Sequence, residues 1–203
     1  MRRISICISL LLTLTAVNKA EAVAKYSPFG VQNDVAVATV LGGGWDVLYQ
    51  GPFGEVVPSV SGLFKRACGQ IMLASKHLNS NSFDVLATID AQLFQSLNTP
   101  RNETVLANGA QWYKNEFSLG FAGADDRISQ TSADTVSLME RDRLSWHTLF
   151  FKPEKTLQMN GGWRSGNNYE LNRSEDWERF ILTLKSTATG SPSAAKPDCM
   201  PIG

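Results

Sequence analysis

The sequence predicts a mainly β domain: a sandwich of antiparallel strands with one short helix, or else an α+β arrangement. Three observations carry this. Short apolar or alternating runs recur between turns marked by glycine, asparagine and proline. The stretch Phe117, Leu119, Phe121 alternates with Ser118 and Gly120, the period of a half-buried strand. Helical spacing is best developed in one place, Val60 to Ala74, where Leu63, Phe64, Ala67, Ile71 and Ala74 recur on one side.

In chain order, Arg2 and Arg3 precede an apolar run from Ile4 to Val17, and Ala20-Glu21-Ala22 offers small residues to a signal peptidase. Residues 1–22 therefore read as a secretory signal; a run of ~14 apolar residues is short of the ~20 that span a bilayer. Residues 23–34 read as an irregular leader. Val35 to Leu41 is uncharged and apolar, a strand, and Gly42-Gly43-Gly44 breaks it. That triplet fits neither the dinucleotide nor the P-loop fingerprint and reads as a tight turn. A second strand follows, with Trp45, Val47 and Tyr49 on one face and Asp46 and Leu48 on the other.

The helix near Ser61 to Cys68 should stop at Gly69, leaving Gln70 to Ala74 as a strand. Ser75 to Ser82 reads as a loop, Phe83 to Ile89 as a strand, and Ala91 to Leu97 fits either state. Asn108-Gly109 is a turn, since both residues tolerate positive φ. Gln111 to Phe121 is aromatic-rich; strands are expected at Phe117 to Phe121 and Arg143 to Thr148, with a Ser/Asp-rich excursion between them, the layout of a loop presented on a rigid scaffold. Trp177 to Leu184 fits a helix or a closing strand. One domain is expected over residues 35–185, followed by a disordered tail at 186–203 rich in Ser, Ala, Pro and Gly.

Without residues 1–22, 16 Lys and Arg stand against 18 Asp and Glu. A near-neutral chain with mixed signs has no basic stripe for nucleic acid, so no nucleic-acid partner is expected. No second long apolar run follows, so no membrane span is expected in the mature chain. Cys68 and Cys199 could pair, or Cys68 could be buried and free with Cys199 free or intermolecular. The sequons Asn102-Glu103-Thr104 and Asn172-Arg173-Ser174 are candidate N-glycosylation sites.

Several motifs follow one another in a recognisable order: Gly44-Trp45-Asp46-Val47-Leu48-Tyr49, Ala67-Cys68-Gly69, Asn108-Gly109 with Trp112-Tyr113, Gly120-Phe121-Ala122, Ser132-Ala133-Asp134-Thr135, Arg143-Leu144-Ser145-Trp146-His147-Thr148, Gly161-Gly162-Trp163-Arg164-Ser165-Gly166, Leu171-Asn172 and Trp177-Glu178-Arg179. In this the chain resembles a family of secreted, mostly bacterial domains of unassigned function, over roughly residues 43–184. The resemblance implies one extracellular domain, no known catalytic residue, and a closing strand at Trp177 to Leu184. Leu48, Ala133, Ser145 and Ser165 stand where the family often has cysteine, so its disulfides do not carry over.

Candidate chemistry concentrates in and around the central stretch. Trp112, Tyr113, Trp163 and Tyr169, with Arg164 beside Trp163, lie in Gly/Asn-rich segments, where rings can stack on sugars and amides bind hydroxyls. Asp125, Asp126 and Asp134 could hold calcium, although their spacing matches no known loop; otherwise no cofactor is expected. Ser145 and His147 share a strand face, and with an acid such as Asp134 or Asp142 they could form a hydrolase triad, although no nucleophile elbow is present. Glu140 to Arg143 reads as a solvated edge of alternating sign. On this pattern Trp146 faces the core, and Ser145 and His147 face outward. The leading expectation is a secreted, non-enzymatic recognition or adhesion module, glycan- or surface-binding. A secreted hydrolase and a structural component of a matrix or coat are the alternatives.

Overall fold

A computed structural model describes residues 24–55, 60–67, 69–128, 134, 136–147 and 162–184. The expected signal peptide, the C-terminal tail, Cys68 and Cys199 lie outside them. The described chain is mainly β, as expected: two five-stranded antiparallel sheets share one core. The first contains β1 (Gln32–Ala36), β2 (Trp45–Pro52), β3 (Gln70–His77), β4 (Ser82–Asp90) and β10 (Trp177–Leu184), in the order β1-β4-β3-β10-β2. The second runs in chain order: β5 (Val105–Ala107), β6 (Ala110–Lys114), β7 (Ser118–Gly123), β8 (Leu144–His147) and β9 (Gly162–Ser165). Among the described residues three short helices, not one, accompany them: α1 (Val37–Gly42), α2 (Val60–Lys65) and α3 (Ala91–Ser96). A 3-10 turn covers Leu171–Arg173.

The inner faces of the two sheets meet in the main core. Ile71, Leu73, Val85, Ala87, Ile89 and Ile181 come from the first sheet, and Ala110, Trp112, Leu119, Phe121, Leu144 and Trp146 from the second. The outer face of the first sheet is buried as well. Met72, Ala74, Leu86, Phe180, Leu182 and Leu184 pack there with Val40 of α1, Trp45 and Tyr26. This two-sided burial explains the ambiguity of Trp177 to Leu184. As the strand between β3 and β2, β10 is buried on both faces and loses the alternation that marks a half-exposed strand.

Other expectations change for local reasons. The apolar run Val35 to Leu41 is not one strand: it ends β1 and becomes α1, whose Val40 covers the outer face. Residues 26–34, expected as an irregular leader, pack on the domain. The Tyr26 carbonyl accepts from Trp45 Nε1 at 2.8 Å, and Gln32 to Asp34 belong to β1. In β2 the predicted alternation fails because the register against β10 slips at Leu48. That extra residue sends Trp45 to the outer core and Leu48 to the inner one, leaving Val47 exposed. Residues 75–77 and 82 extend β3 and β4, so the expected loop shrinks to 78–81.

Ala91 to Ser96 resolves as helix. Asp90 Oδ1 caps it by accepting from Leu93 N–H at 2.8 Å, and Lys114 Nζ donates to the carbonyls of Phe94 and Gln95 at its C-terminal end, both at 2.7 Å. Phe94 then sits edge-on to Phe64 and Trp112, closing one end of the core. The turn at Asn108-Gly109 forms as expected, with φ of 46° and 73°. Among the described residues no helix is long and apolar enough to cross a membrane.

Candidate functional site

The outer face of the second sheet carries the chemistry. Strand register lines up Tyr113 of β6, Gly120 of β7, Ser145 of β8 and Arg164 of β9 in one row. Gly120 has no side chain because the Leu144 carbonyl and the Tyr113 ring occupy the space a Cβ would need. The next row pairs Ser118 with His147. This face is not open: Asp134 and residues 136–140, the described part of the excursion before β8, lie against it, and Tyr113, Ser118, Ser145 and Arg164 are fully buried. His147 is 3% exposed. The expectation that Ser145 and His147 face outward is therefore corrected, whereas Trp146 lies in the inter-sheet core as expected.

Two arginines hold the excursion down. Arg143 is fully buried, not a solvated edge residue. Its Nη1 donates to Asp134 Oδ2 at 2.9 Å and to the carbonyls of Arg127 and Val136, both at 3.1 Å. Its Nη2 pairs with Asp126 Oδ2, and its Nε lies 3.4 Å from Asp142 Oδ1. Burial works against this guanidinium, but the carboxylates of Asp134, Asp126 and Asp142 more than offset it and raise its pKa. Arg164 donates to five carbonyls, those of Val136, Ser137, Leu138, Glu140 and Gly166. Burial lowers its pKa.

Trp163 is the extra residue where β9 slips against β8. Its indole Nε1 donates to the Asp134 carbonyl at 2.9 Å, and its ring stands edge-on to His147 at 6.0 Å. Asp134 is fully buried, and its Oδ1 accepts from the Val136 N–H. Where an oxygen-rich calcium site was expected, Asp126 and Asp134 close on Arg143, and Asp125 is exposed. Among the described residues no group of three or more His, Cys, Asp or Glu is arranged to hold a metal ion.

The hydroxyls of Tyr113, Ser118 and Ser145 gather under the excursion. None closes a hydrogen bond of good geometry, although both serines lie near enough to the phenol to favour its ionised form slightly. Burial, reinforced by the Asp134 charge, keeps Tyr113 a neutral phenol. Ser145 Oγ is not hydrogen-bonded to His147. The two side chains lie about 7 Å apart along one strand face, two residues at ~3.4 Å each. A nucleophile–base pair is not assembled there.

The remaining site expectations divide by burial. Trp112 is a core residue whose Nε1 donates to the Ala107 carbonyl at 3.1 Å, so neither it nor Tyr113 forms a surface platform. Tyr169, in the turn after β9, is 46% exposed. Asn102 is exposed in a turn, whereas Asn172 is half-buried and its Oδ1 is enclosed without a donor. Ser132, Ala133 and Thr135, Thr148, and Asn160-Gly161 lie outside the described residues.

One functional-looking residue was missed. Arg179, in the middle of β10, is fully buried between the sheets. Its guanidinium lies 5.6 to 5.9 Å from the ring centres of Tyr49, Phe53 and Trp146. Its Nη2 donates to the carbonyls of Pro52 (2.9 Å) and Glu55 (2.5 Å), fixing the turn after β2. Burial pushes its pKa down to about 10, so it remains charged at neutral pH. An arginine directly before the apolar residues Phe180, Ile181 and Leu182 was the available signal. Compared with known protein families, characterised proteins and solved structures, the chain matches none.

Proposed function

We propose that this chain is a secreted, non-enzymatic recognition or adhesion module that makes contact through the exposed Met139 before β8 and the turn after β9. One observation carries the reading: the buried Arg143 and Arg164 hold the carbonyls of residues 136–138 and 140 while the Met139 side chain among them stands in solvent. Met139 is 81% exposed, and Tyr169 and Asn167 are exposed on the turn whose Gly166 packs against Arg141. A rigid scaffold presenting an exposed loop is the arrangement binding surfaces use. Tyr169 beside Asn167 has the ring-and-amide chemistry that suits a glycan. The N-terminal segment supports secretion, and the motif order supports kinship with secreted domains.

The test is direct binding of the mature chain to glycan arrays and to immobilised extracellular polysaccharides. Replacing Met139 and Tyr169 by alanine together should weaken binding by about tenfold or more, equivalent to ~1.4 kcal/mol, without moving the melting transition. A wild-type chain that binds none of these surfaces, or a double variant that binds equally well, overturns the proposal.

A further inference from the structure

Among the described residues three arginines are fully buried: Arg143, Arg164 and Arg179. Arg143 has three carboxylates against it, and Arg164 donates to five carbonyls. Arg179 has neither. Its Nη2 alone is engaged, by the carbonyls of Pro52 and Glu55 and, at 3.4 Å, by the Tyr49 hydroxyl. Its Nε and Nη1 are enclosed without an acceptor. Among the described residues no carboxylate forms an ion pair with it. The rings of Tyr49, Phe53 and Trp146 stand around the guanidinium instead, with centres 5.9, 5.6 and 5.7 Å away. Rings attract a cation, but they give its N–H groups no oxygen acceptor. A buried cation with unanswered donors is costly, and such atoms mark the place of a water or an ion.

We propose that the unengaged side of the Arg179 guanidinium seats one small inorganic anion of the halide class, chloride above all, which accepts at Nη1 and neutralises the charge between the sheets. The chemistry separates this ligand from water. A water molecule supplies an acceptor but no charge, and it brings two hydrogens to place among aromatic rings. A halide supplies the charge, accepts from several donors at once and has no hydrogens to place. Burial lowers the Arg179 pKa to about 10, so the cation that attracts the anion persists at neutral pH. Unlike Met139 and Tyr169, the seat lies in the inter-sheet core. Its effect falls on the turn after β2, because the neutralised guanidinium also holds the Pro52 and Glu55 carbonyls. The unfolded chain has no such enclosure, so chloride stabilises the folded state by mass action.

The experiment melts the protein in sodium chloride and in sodium gluconate at equal ionic strength, which keeps screening the same in both. Gluconate is too large for an enclosed seat. Wild type should melt higher in chloride by about 2–4 °C once chloride exceeds its dissociation constant severalfold. Arg179→Met removes the charge and keeps an unbranched side chain among the rings, a replacement that buried charges often tolerate. Its melting temperature should be the same in the two salts. Whatever that variant's stability, wild type gives a second reading. Bromide resembles chloride and quenches indoles on contact, and Trp146 stands beside the guanidinium. Bromide should therefore quench part of the tryptophan emission saturably, and added chloride should restore it. Equal wild-type melting temperatures in the two salts, an Arg179→Met variant that keeps the chloride shift, or quenching that rises linearly with bromide and ignores chloride overturns the proposal.

Discussion

Replacing Trp146 by alanine should be among the most damaging single changes in this domain. The indole is 1% exposed and sits between the sheets, beside Leu119 on the neighbouring strand and under the Arg179 guanidinium. Truncating a buried tryptophan costs about 3–5 kcal/mol through lost transfer energy and the cavity left behind. Removing a ring from a desolvated arginine adds ~1 kcal/mol, and the sum approaches the ~5–15 kcal/mol of a typical domain. Trp146→Phe separates the causes. The indole N–H has no acceptor, so its loss costs nothing and only the smaller ring is felt, about 1–2 kcal/mol. Urea melts of both variants provide the measurement. An alanine variant within about 1 kcal/mol of wild type would behave like a surface substitution and would refute the placement of Trp146 between the sheets. His147→Ala would cost about 1 kcal/mol on an open face, but it should cost about 1–3 kcal/mol because the imidazole is buried against Trp163.

Arg143→Ala should cost about 3–5 kcal/mol by leaving the buried Asp134 carboxylate without its cation, and chemical denaturation should show it. Gly120→Ala forces a methyl into the Leu144 backbone carbonyl and should cost about 1–3 kcal/mol, read as a lower melting temperature. In a host that glycosylates secreted chains, Asn102→Gln should remove a glycan detectable by intact mass, and Asn172→Gln should leave the mass pattern otherwise unchanged, because only Asn102 is freely exposed. At neutral pH, Asp142→Asn should melt at or above the wild-type temperature, and the difference should disappear in acid as Asp142 regains its proton.

Much of the fold was legible in local pattern. The turn at Asn108-Gly109, the alternation from Ser118 to Phe121, the inward Trp146 and the end of the first long helix candidate before Gly69 all depend on backbone preference or on a period of two, which neighbours in sequence express directly. The helix–strand choice at Trp177 to Leu184 did not depend on neighbours, because a central strand buried on both faces carries no alternation; only its position between β2 and β3 decided it. The same holds for β2, where one slipped residue put Trp45 and Tyr49, expected on one face, on opposite faces of the sheet. At the candidate site the sequence marked the right stretch but gave several residues the wrong exposure. Ser145 and His147 do share a strand face, but whether that face meets water depends on where a long excursion comes to rest. That was decided by Arg143 and Arg164, whose long side chains reach carbonyls and carboxylates up to 28 residues away along the chain. Alternation along an unbulged strand is covalent geometry that neighbours in sequence express, whereas a bulge and the burial of a face depend on what packs against the strand.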